Sequence, residues 1–451
     1  MLDSSPAMKR VFLETYGCQM NVADSETMAG VLEKAGLTLT DRPEEADAVV
    51  LNTCAIREHA EQRVLGRLGE FARLKQRNPR LVVGVAGCMA QHLRKRLLDS
   101  RSRVLDLVVG PDGYRRLPEL LQRAAREPVA EIRLDRDETY GDLEPKREPG
   151  VRAWITAQRG CDKFCSFCVV PYTRGRERSL PLEDLIRQVE GAVASGYSEV
   201  VFLGQTVNSY HDRTHDFADL LRAADRVAGL KRIRFTSPHP SDMSDRVIAA
   251  IAECPRVCPQ VHLPLQSASD RILESMRRPY SFAEFTEVVR RLRSAIPEVA
   301  LSTDVIVGFP GEGEPEFQAT ASALREIRFD SAFLFKYSAR PDTRAWKWEE
   351  TVSEDEKGRR LAELIELQHG ISGEIHDAWL GREVEALVEG PARRDPGQLF
   401  GRTAQFKAIV FGDDGTPAGT LKRLRVVGAT PVTLFGEPIA TRAPGARVTI
   451  R

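Results

Sequence analysis

The run Gly160-Cys161-Asp162-Lys163-Phe164-Cys165-Ser166-Phe167-Cys168 sets three thiols within eight residues, at the spacing C-x3-C-x2-C, in a chain that holds eight cysteines in all. Thiols this concentrated invite a metal centre. Protein-held 4Fe-4S cubes normally take four thiolates, so three on one loop would ligate three irons and leave the fourth open to another ligand. A structural zinc ion would want a fourth protein ligand, and His211 and His215 lie well downstream of the loop. A zinc loop or scattered redox thiols is the plainer alternative reading.

Composition narrows the setting. Basic and acidic residues balance at 65 each, so only local charge can argue for a nucleic-acid partner. The first ten residues lack the apolar segment of a signal peptide and no run of about 18 apolar residues occurs. A soluble, cytoplasmic chain without a membrane partner is expected. Eight cysteines in a chain of this class speak for metal or redox chemistry rather than a secreted disulfide framework. The length suggests about three domains.

Read in order, strand patterns at Lys9–Gly17, Asp47–Asn52, Leu81–Ala86 and Leu105–Gly110 alternate with helical stretches at Asn21–Lys34 and Glu58–Gln76. This predicts a doubly wound α/β N-terminal domain over 1–135. Cys18, Cys54 and Cys88 fall just past the carboxyl ends of three successive strands, the edge at which such sheets bind ligands. A second three-thiolate site is inferred there, although any one of the three taken singly reads as a buried core thiol. Residues 136–150 are charged and punctuated by Pro and Gly, and read as a linker. From 151 to 380 six strand-helix units predict a partial (β/α)6 barrel, with the cysteine loop after its first strand. Short β-rich runs over 381–451 predict a small C-terminal antiparallel β-barrel. Cys254 and Cys258 stand outside both triplets and read as structural thiols.

With its aromatic residue before the third cysteine, the loop resembles the radical S-adenosylmethionine (SAM) superfamily. Further runs are similar to the methylthiotransferases of that superfamily. They are Gly17-Cys18-Gln19-Met20-Asn21, Asn52-Thr53-Cys54-Ala55-Ile56-Arg57, Gly87-Cys88-Met89-Ala90-Gln91 and Cys168-Val169-Val170-Pro171-Tyr172-Thr173-Arg174-Gly175. The resemblance implies two 4Fe-4S clusters, one on Cys161, Cys165 and Cys168 that cleaves SAM reductively, the other on Cys18, Cys54 and Cys88 that carries the sulfur to be inserted. It also implies a C-terminal TRAM domain that binds RNA. Phe167, Gly204, Gln205, Gly308, Pro310 and Gly311 are expected beside SAM on the same ground, and no side-chain acid or base is assigned. The implied reaction is methylthiolation of C2 of N6-dimethylallyladenosine at tRNA position 37, next to the anticodon. Besides the tRNA, a reducing electron donor is the implied partner, and a monomer is expected. The Gln19-Met20-Asn21 run favours this substrate over threonylcarbamoyl-adenosine in tRNA or an aspartate of a ribosomal protein. An alternative of another class is a non-catalytic iron-sulfur protein that binds RNA and senses redox state.

Six basic residues against two acidic ones over 151–180 (Arg152, Arg159, Lys163, Arg174, Arg176 and Arg178 against Asp162 and Glu177) would draw a polyanion. Over 381–451, eleven basic residues face seven acidic ones, with Arg393, Arg394, Arg402 and Lys407 as candidate phosphate contacts.

Overall fold

The computed structural model describes residues 8–55, 58–97 and 104–439. Ile56 and Arg57 of the second motif, and the basic residues after 439, lie outside them.

Six parallel strands open the chain: β1 (Arg10–Tyr16), β2 (Thr38–Thr40), β3 (Ala48–Thr53), β4 (Val82–Gly87), β5 (Leu107–Val109) and β6 (Val129–Glu131), in the spatial order β2-β1-β3-β4-β5-β6. Between them run α1 (Gln19–Lys34), α2 (Glu58–Arg77), α3 (Cys88–Leu93) and α4 (Leu117–Ala124). Every residue of β3 and β4 is buried, as befits central parallel strands covered on both faces. Met28, Leu32, Leu117 and Leu121 of α1 and α4 pack on Val11, Val50 and Val109. On the opposite face, Phe71 and Met89 of α2 and α3 meet Val49, Val83 and Val85. The winding direction reverses between β1 and β3, which makes the carboxyl end of that pair the crevice of the sheet.

The next units begin with β7 (Arg152–Thr156), followed by a two-residue clasp, β8 (Gln158–Arg159) paired antiparallel with β9 (Arg178–Ser179). The clasp pinches the base of the cysteine loop, which also contains the short helix α5 (Val170–Arg174). Then come β10 (Glu199–Leu203), β11 (Arg232–Phe235), β12 (Gln260–His262), β13 (Ala300–Val307) and β14 (Ser331–Lys336). The strands form two parallel sets, β11-β10-β7 and β12-β13-β14. Cys258 joins them, its N–H donating to Ile233 O at 2.9 Å. The barrel is therefore partial, with β7 and β14 as its edges.

Beyond it, β15 (Glu383–Pro391), β16 (Gln398–Thr403), β17 (Ala408–Gly412), β18 (Leu421–Ala429) and β19 (Leu434–Pro438) close a barrel in the order β15-β16-β17-β19-β18. The pairing β17–β19 is parallel, where an antiparallel barrel was expected throughout. This barrel docks on the amino ends of the (β/α) strands. Arg232 donates to Arg402 O at 2.6 Å and Glu385 O at 2.9 Å, and Arg234 donates to Ala404 O at 2.9 Å and Thr403 O at 2.8 Å.

The segment 136–150 is less free than a linker. Tyr140 is buried and stacks on Tyr114 at 5.7 Å, and the Arg159 guanidinium lies 4.9 Å from its ring centre. The N-terminal sheet is further tied to the barrel by Arg178, which grips Asp112 through two bonds of 3.0 and 3.2 Å with both side chains almost sealed from solvent. Removing one partner of a buried pair strands the other charge and costs about 3–5 kcal/mol. Asp112→Ala should lower the urea midpoint accordingly, while Asp413→Ala, a change at an exposed turn, should leave it within the scatter of the measurement. Equal midpoints for the two variants would show that the junction contributes nothing.

Candidate functional site

Strand register brings the N-terminal cysteines together. Tyr16 pairs with Thr53, and Thr53 with Gly87, so three adjacent strands end level. Cys18, Cys54 and Cys88 follow at once. Two glycines allow the close approach. A Cβ at Gly17 would lie 2.8 Å from Cys54 Cβ, and one at Gly87, whose φ is +91°, would meet Asn52 Oδ1 at 2.4 Å. Cys18 also caps the amino end of α1, where a thiolate is favoured. Its N–H and thiol both donate to Asn21 Oδ1 at 3.3 Å. A hydrogen bond with Cys54, against the cost of burial and helped by the Arg174 charge, pulls the Cys18 thiol down to about 6. Burial pushes the Cys88 thiol up, partly offset by Arg174.

Arg174, from α5 of the cysteine loop, enters this site from the other domain. Its Nε donates to Cys88 Sγ at 3.1 Å and its Nη2 to Asp24 Oδ2 at 2.7 Å. Asp24 accepts a second bond from Arg159 at 3.0 Å and is itself closed off from solvent. Burial alone would raise the Asp24 carboxyl, yet the Arg174 and Arg159 guanidiniums overcome it and hold the group below the usual range.

In the other triplet, the cysteine loop turns through Phe164, whose φ of +48° is a left-handed conformation unusual for an aromatic residue. Cys168 N–H donates to Cys165 O at 3.1 Å, and Lys163 N–H to Cys161 Sγ at 3.5 Å. Ser166 fastens the loop to the segment after β12, its N–H donating to Met276 O at 3.0 Å and its hydroxyl to Ser275 O at 2.8 Å. A half-buried arginine stands here too, with Arg278 Nη1 3.4 Å from Cys165 Sγ. Burial pushes Cys161 to about 11 and Cys168 to about 12.

Of the residues expected beside SAM, Phe167 lies on this loop and Gln205 touches it. Phe167 meets Phe309 edge-on at 6.3 Å, which joins the loop to the run after β13. Gln205 Oε1 accepts from Gly160 N–H at 2.5 Å. The close approach that Gly204 permits is made by Gln158 Oε1 and Val207 Cα, each 2.8 Å from a built Cβ. At Gly308 the same space belongs to Lys357, 2.3 Å away. Pro310 is half-buried, and Gly311 is exposed and bonded to Thr351 Oγ1 at 2.7 Å. Cys254 and Cys258 are buried away from both triplets.

Both thiol sets suit a cube. Among the described residues, no three His, Cys, Asp or Glu side chains converge as they would on one ion. A cube asks for something else, because each thiolate binds its own iron at a separate corner. The cation beside each set matches the negative charge that a thiolate-ligated centre would bring.

The basic run over 151–180 does not form an outer patch. Arg159, Arg174 and Arg178 are buried and paired inside, and Arg152 bridges Glu199 and Glu389. In the C-terminal barrel, Lys407 is buried against Asp330 at 2.5 Å, and Arg402 stacks on Phe406 at 4.2 Å. Arg393 and Arg394 are exposed. Sequence reading places Arg174 in an anion-attracting run and gives no role to Arg278 or Asp24, because their partners are distant along the chain.

Residues 10–110 match the family described as Uncharacterized protein family UPF0004, and residues 155–324 match the Radical SAM superfamily. A protein of Bacteroides thetaiotaomicron named tRNA-2-methylthio-N(6)-dimethylallyladenosine synthase is 45% identical over 440 residues, covering 96% of each chain. Its namesake in Chloroherpeton thalassium is 43% identical over 95% of this chain and 96% of its own. Among solved structures, the radical SAM methyltransferase TsrM of Kitasatospora setae, with cobalamin and a 4Fe-4S cluster bound, aligns at a TM-score of 0.58 and 16% identity, over 75% of this chain and 74% of that one. The cobalamin-dependent radical SAM enzyme OxsB aligns at a TM-score of 0.53 and 11% identity, over 80% and 56%. The two solved structures share the fold.

Anaerobic reconstitution should load about eight irons per chain on the two-cube count, and about four when Cys161, Cys165 and Cys168 are all changed to alanine. Iron and sulfide analysis reads both numbers. A native chain with about four irons and a triple variant with none would remove Cys18, Cys54 and Cys88 as cluster ligands.

Proposed function

We infer the reaction from one premise: the chain belongs to the methylthiotransferase family of radical SAM enzymes, among the proteins named tRNA-2-methylthio-N(6)-dimethylallyladenosine synthase. It is a tRNA methylthiotransferase that places a methylthio group on C2 of N6-dimethylallyladenosine beside the anticodon, with SAM and two 4Fe-4S clusters as cofactors. The observation that carries the reading onto this chain is the junction of its two thiol sets. Helix α5 begins two residues after Cys168 and ends in Arg174, which touches Cys88.

When bound, a cube on Cys161, Cys165 and Cys168 supplies the electron that cleaves SAM, and a second on Cys18, Cys54 and Cys88 supplies the inserted sulfur. The chain's own residues provide position. The β8–β9 clasp and the Ser166 bonds hold the loop at the carboxyl end of the barrel. Phe167 lies on it, Gln205 and Phe309 touch it, and Phe167, Gly204, Gln205, Gly308, Pro310 and Gly311 are assigned to the SAM pocket. We divide the work among residues 1–135 for sulfur insertion, 151–380 for SAM cleavage and 381–451 for RNA binding, with 136–150 as the connection.

The adenosine is assigned to the inner face of β12–β14. His262 pairs with Asp304 at 3.2 Å and meets the Phe333 ring at 5.8 Å, which puts all three on the side away from the helices. Phe333 is 56% exposed and Phe335 48%, so a flat aromatic surface is open to a base. On the C-terminal barrel, Arg393 and Arg394 are assigned to backbone phosphates. No helix among the described residues is long and apolar enough to cross a membrane. A monomer working in the cytoplasm with a reducing electron donor completes the assignment.

The test is anaerobic turnover on tRNA that carries N6-dimethylallyladenosine without the methylthio group, read by nucleoside mass spectrometry. Product from this tRNA and none from threonylcarbamoyl-adenosine tRNA is expected. The reverse preference would overturn the substrate, and SAM cleavage without any methylthio product would overturn sulfur insertion. Base stacking on an aromatic ring is worth about 1–3 kcal/mol. Phe333→Ala should therefore raise KM for tRNA about 5- to 150-fold while tRNA-independent SAM cleavage stays unchanged, and an unchanged KM would remove the platform. Changing Arg393 and Arg394 to alanine should weaken tRNA binding and reduce the slope of log K against log salt by about 2.

A further inference from the structure

Arg174 has a job at the junction that the reaction outlined above does not use. It is 3% exposed, and its planar guanidinium has two of its three nitrogens engaged. Nε donates to Cys88 Sγ at 3.1 Å and Nη2 to Asp24 Oδ2 at 2.7 Å. Nη1 is sealed from solvent and has no hydrogen-bond partner. A buried donor left unmatched is costly, and more so when it is charged. The carboxylate at hand is already shared, since Asp24 Oδ1 accepts from Arg159 at 3.0 Å. Cys18 also lies within electrostatic reach of Arg174, so the guanidinium stands against the thiol set and not only against Cys88.

We propose that Arg174 is a positioning residue for the iron-sulfur centre on Cys18, Cys54 and Cys88, which rests on the ligand assignment made above. Its Nε holds the Cys88 thiolate, and its Nη1 donates to a sulfur of that centre. Hydrogen bonds to sulfur and net local charge are among the levers that set a cluster's reduction potential. A fixed cation favours the more negative, reduced form and so raises the potential. Asp24 acts in the opposite sense, and also fixes the guanidinium in place. Because Arg174 ends the helix that follows Cys168, the same side chain ties the position of one centre to that of the other.

The test uses the full chain with Cys161, Cys165 and Cys168 changed to alanine, so that only this centre is observed. Iron per chain is counted, and the midpoint potential is read by EPR-monitored titration. Arg174→Gln should move the potential to more negative values, Arg174→Lys should fall between it and the native residue, and Asp24→Asn should move it to more positive values. Opposite signs at the two positions are what a purely structural tie would not give. Such a tie would lower iron content or stability in all three variants and leave the potential where it was. Iron retained with an unchanged potential in Arg174→Gln overturns the inference. Should that variant lose its iron, Arg174→Lys carries the comparison, a negative shift supporting the role and no shift overturning it. Iron missing from the background with Arg174 intact overturns the ligand assignment, and this inference with it.

Discussion

The structure turns on a buried carboxylate held by two guanidiniums. Asp24 lies in the second turn of the helix that Cys18 caps, and Arg159 and Arg174 flank the cysteine loop on either side. None of these charges reaches solvent, so each is tolerable only while the others are present. That mutual dependence gives the N-terminal sheet and the barrel one relative position. The level ends of β1, β3 and β4 then face the loop that carries the other three thiols. Val169, next to Cys168, packs in a buried cluster with Ala55 and Cys88, so apolar contact reinforces what the charges specify.

The same burial that secures the junction works against the thiolates a metal centre requires. Cys88, Cys161 and Cys168 are pushed upward by desolvation, while Cys18, with its hydrogen bond to Cys54 and its place at a helix amino end, is drawn down. Such sites are poor at holding bare thiolates and well suited to thiolates neutralised by iron, because metal binding replaces the protons that burial would otherwise retain. Arg174 and Arg278 each place a permanent cation against one sulfur of each set. The chain thus carries at both sites a charge that matches a thiolate-ligated cube without becoming one of its ligands.

Much of this was legible in the sequence, because β-branched runs such as Val49–Val50, Val82–Val83 and Val200–Val201 announce buried parallel strands, and a cysteine just past each of the first two marks an edge. The edge strands β2 and β6, three residues each, have too short a period to register. The parallel pair β17–β19 depends on closing a barrel, which no local pattern encodes. The basic residues misled more than the apolar ones. Arg159, Arg174 and Arg178 look like an anion-attracting stretch, yet they are spent inside on Asp24 and Asp112. Their partners are 66 to 150 residues away, so nothing nearby distinguishes them from a solvated face. The segment 136–150, read from its charges as a linker, is anchored by Tyr140, an aromatic residue amid charges that is stacked and buried.

Docking of the C-terminal barrel completes the logic of access. Arg152, Arg232 and Arg234, with Glu199, sit at the amino ends of β7, β10 and β11 and bind the docked barrel through its backbone carbonyls and Glu389. Arg402 and Lys407 are consumed in the same seam. That end of the (β/α) barrel is therefore stoppered, while both thiol sets lie at the other. The inner face of β12–β14, proposed above for the adenosine, is open at the β14 edge, where Phe333 and Phe335 are exposed. The RNA contact proposed for the C-terminal barrel, which is fixed at the opposite end, then falls on a part of the molecule remote from the reacting base. This geometry favours a substrate large and rigid enough to span the barrel, as a folded tRNA is, over a free nucleoside or a short flexible peptide.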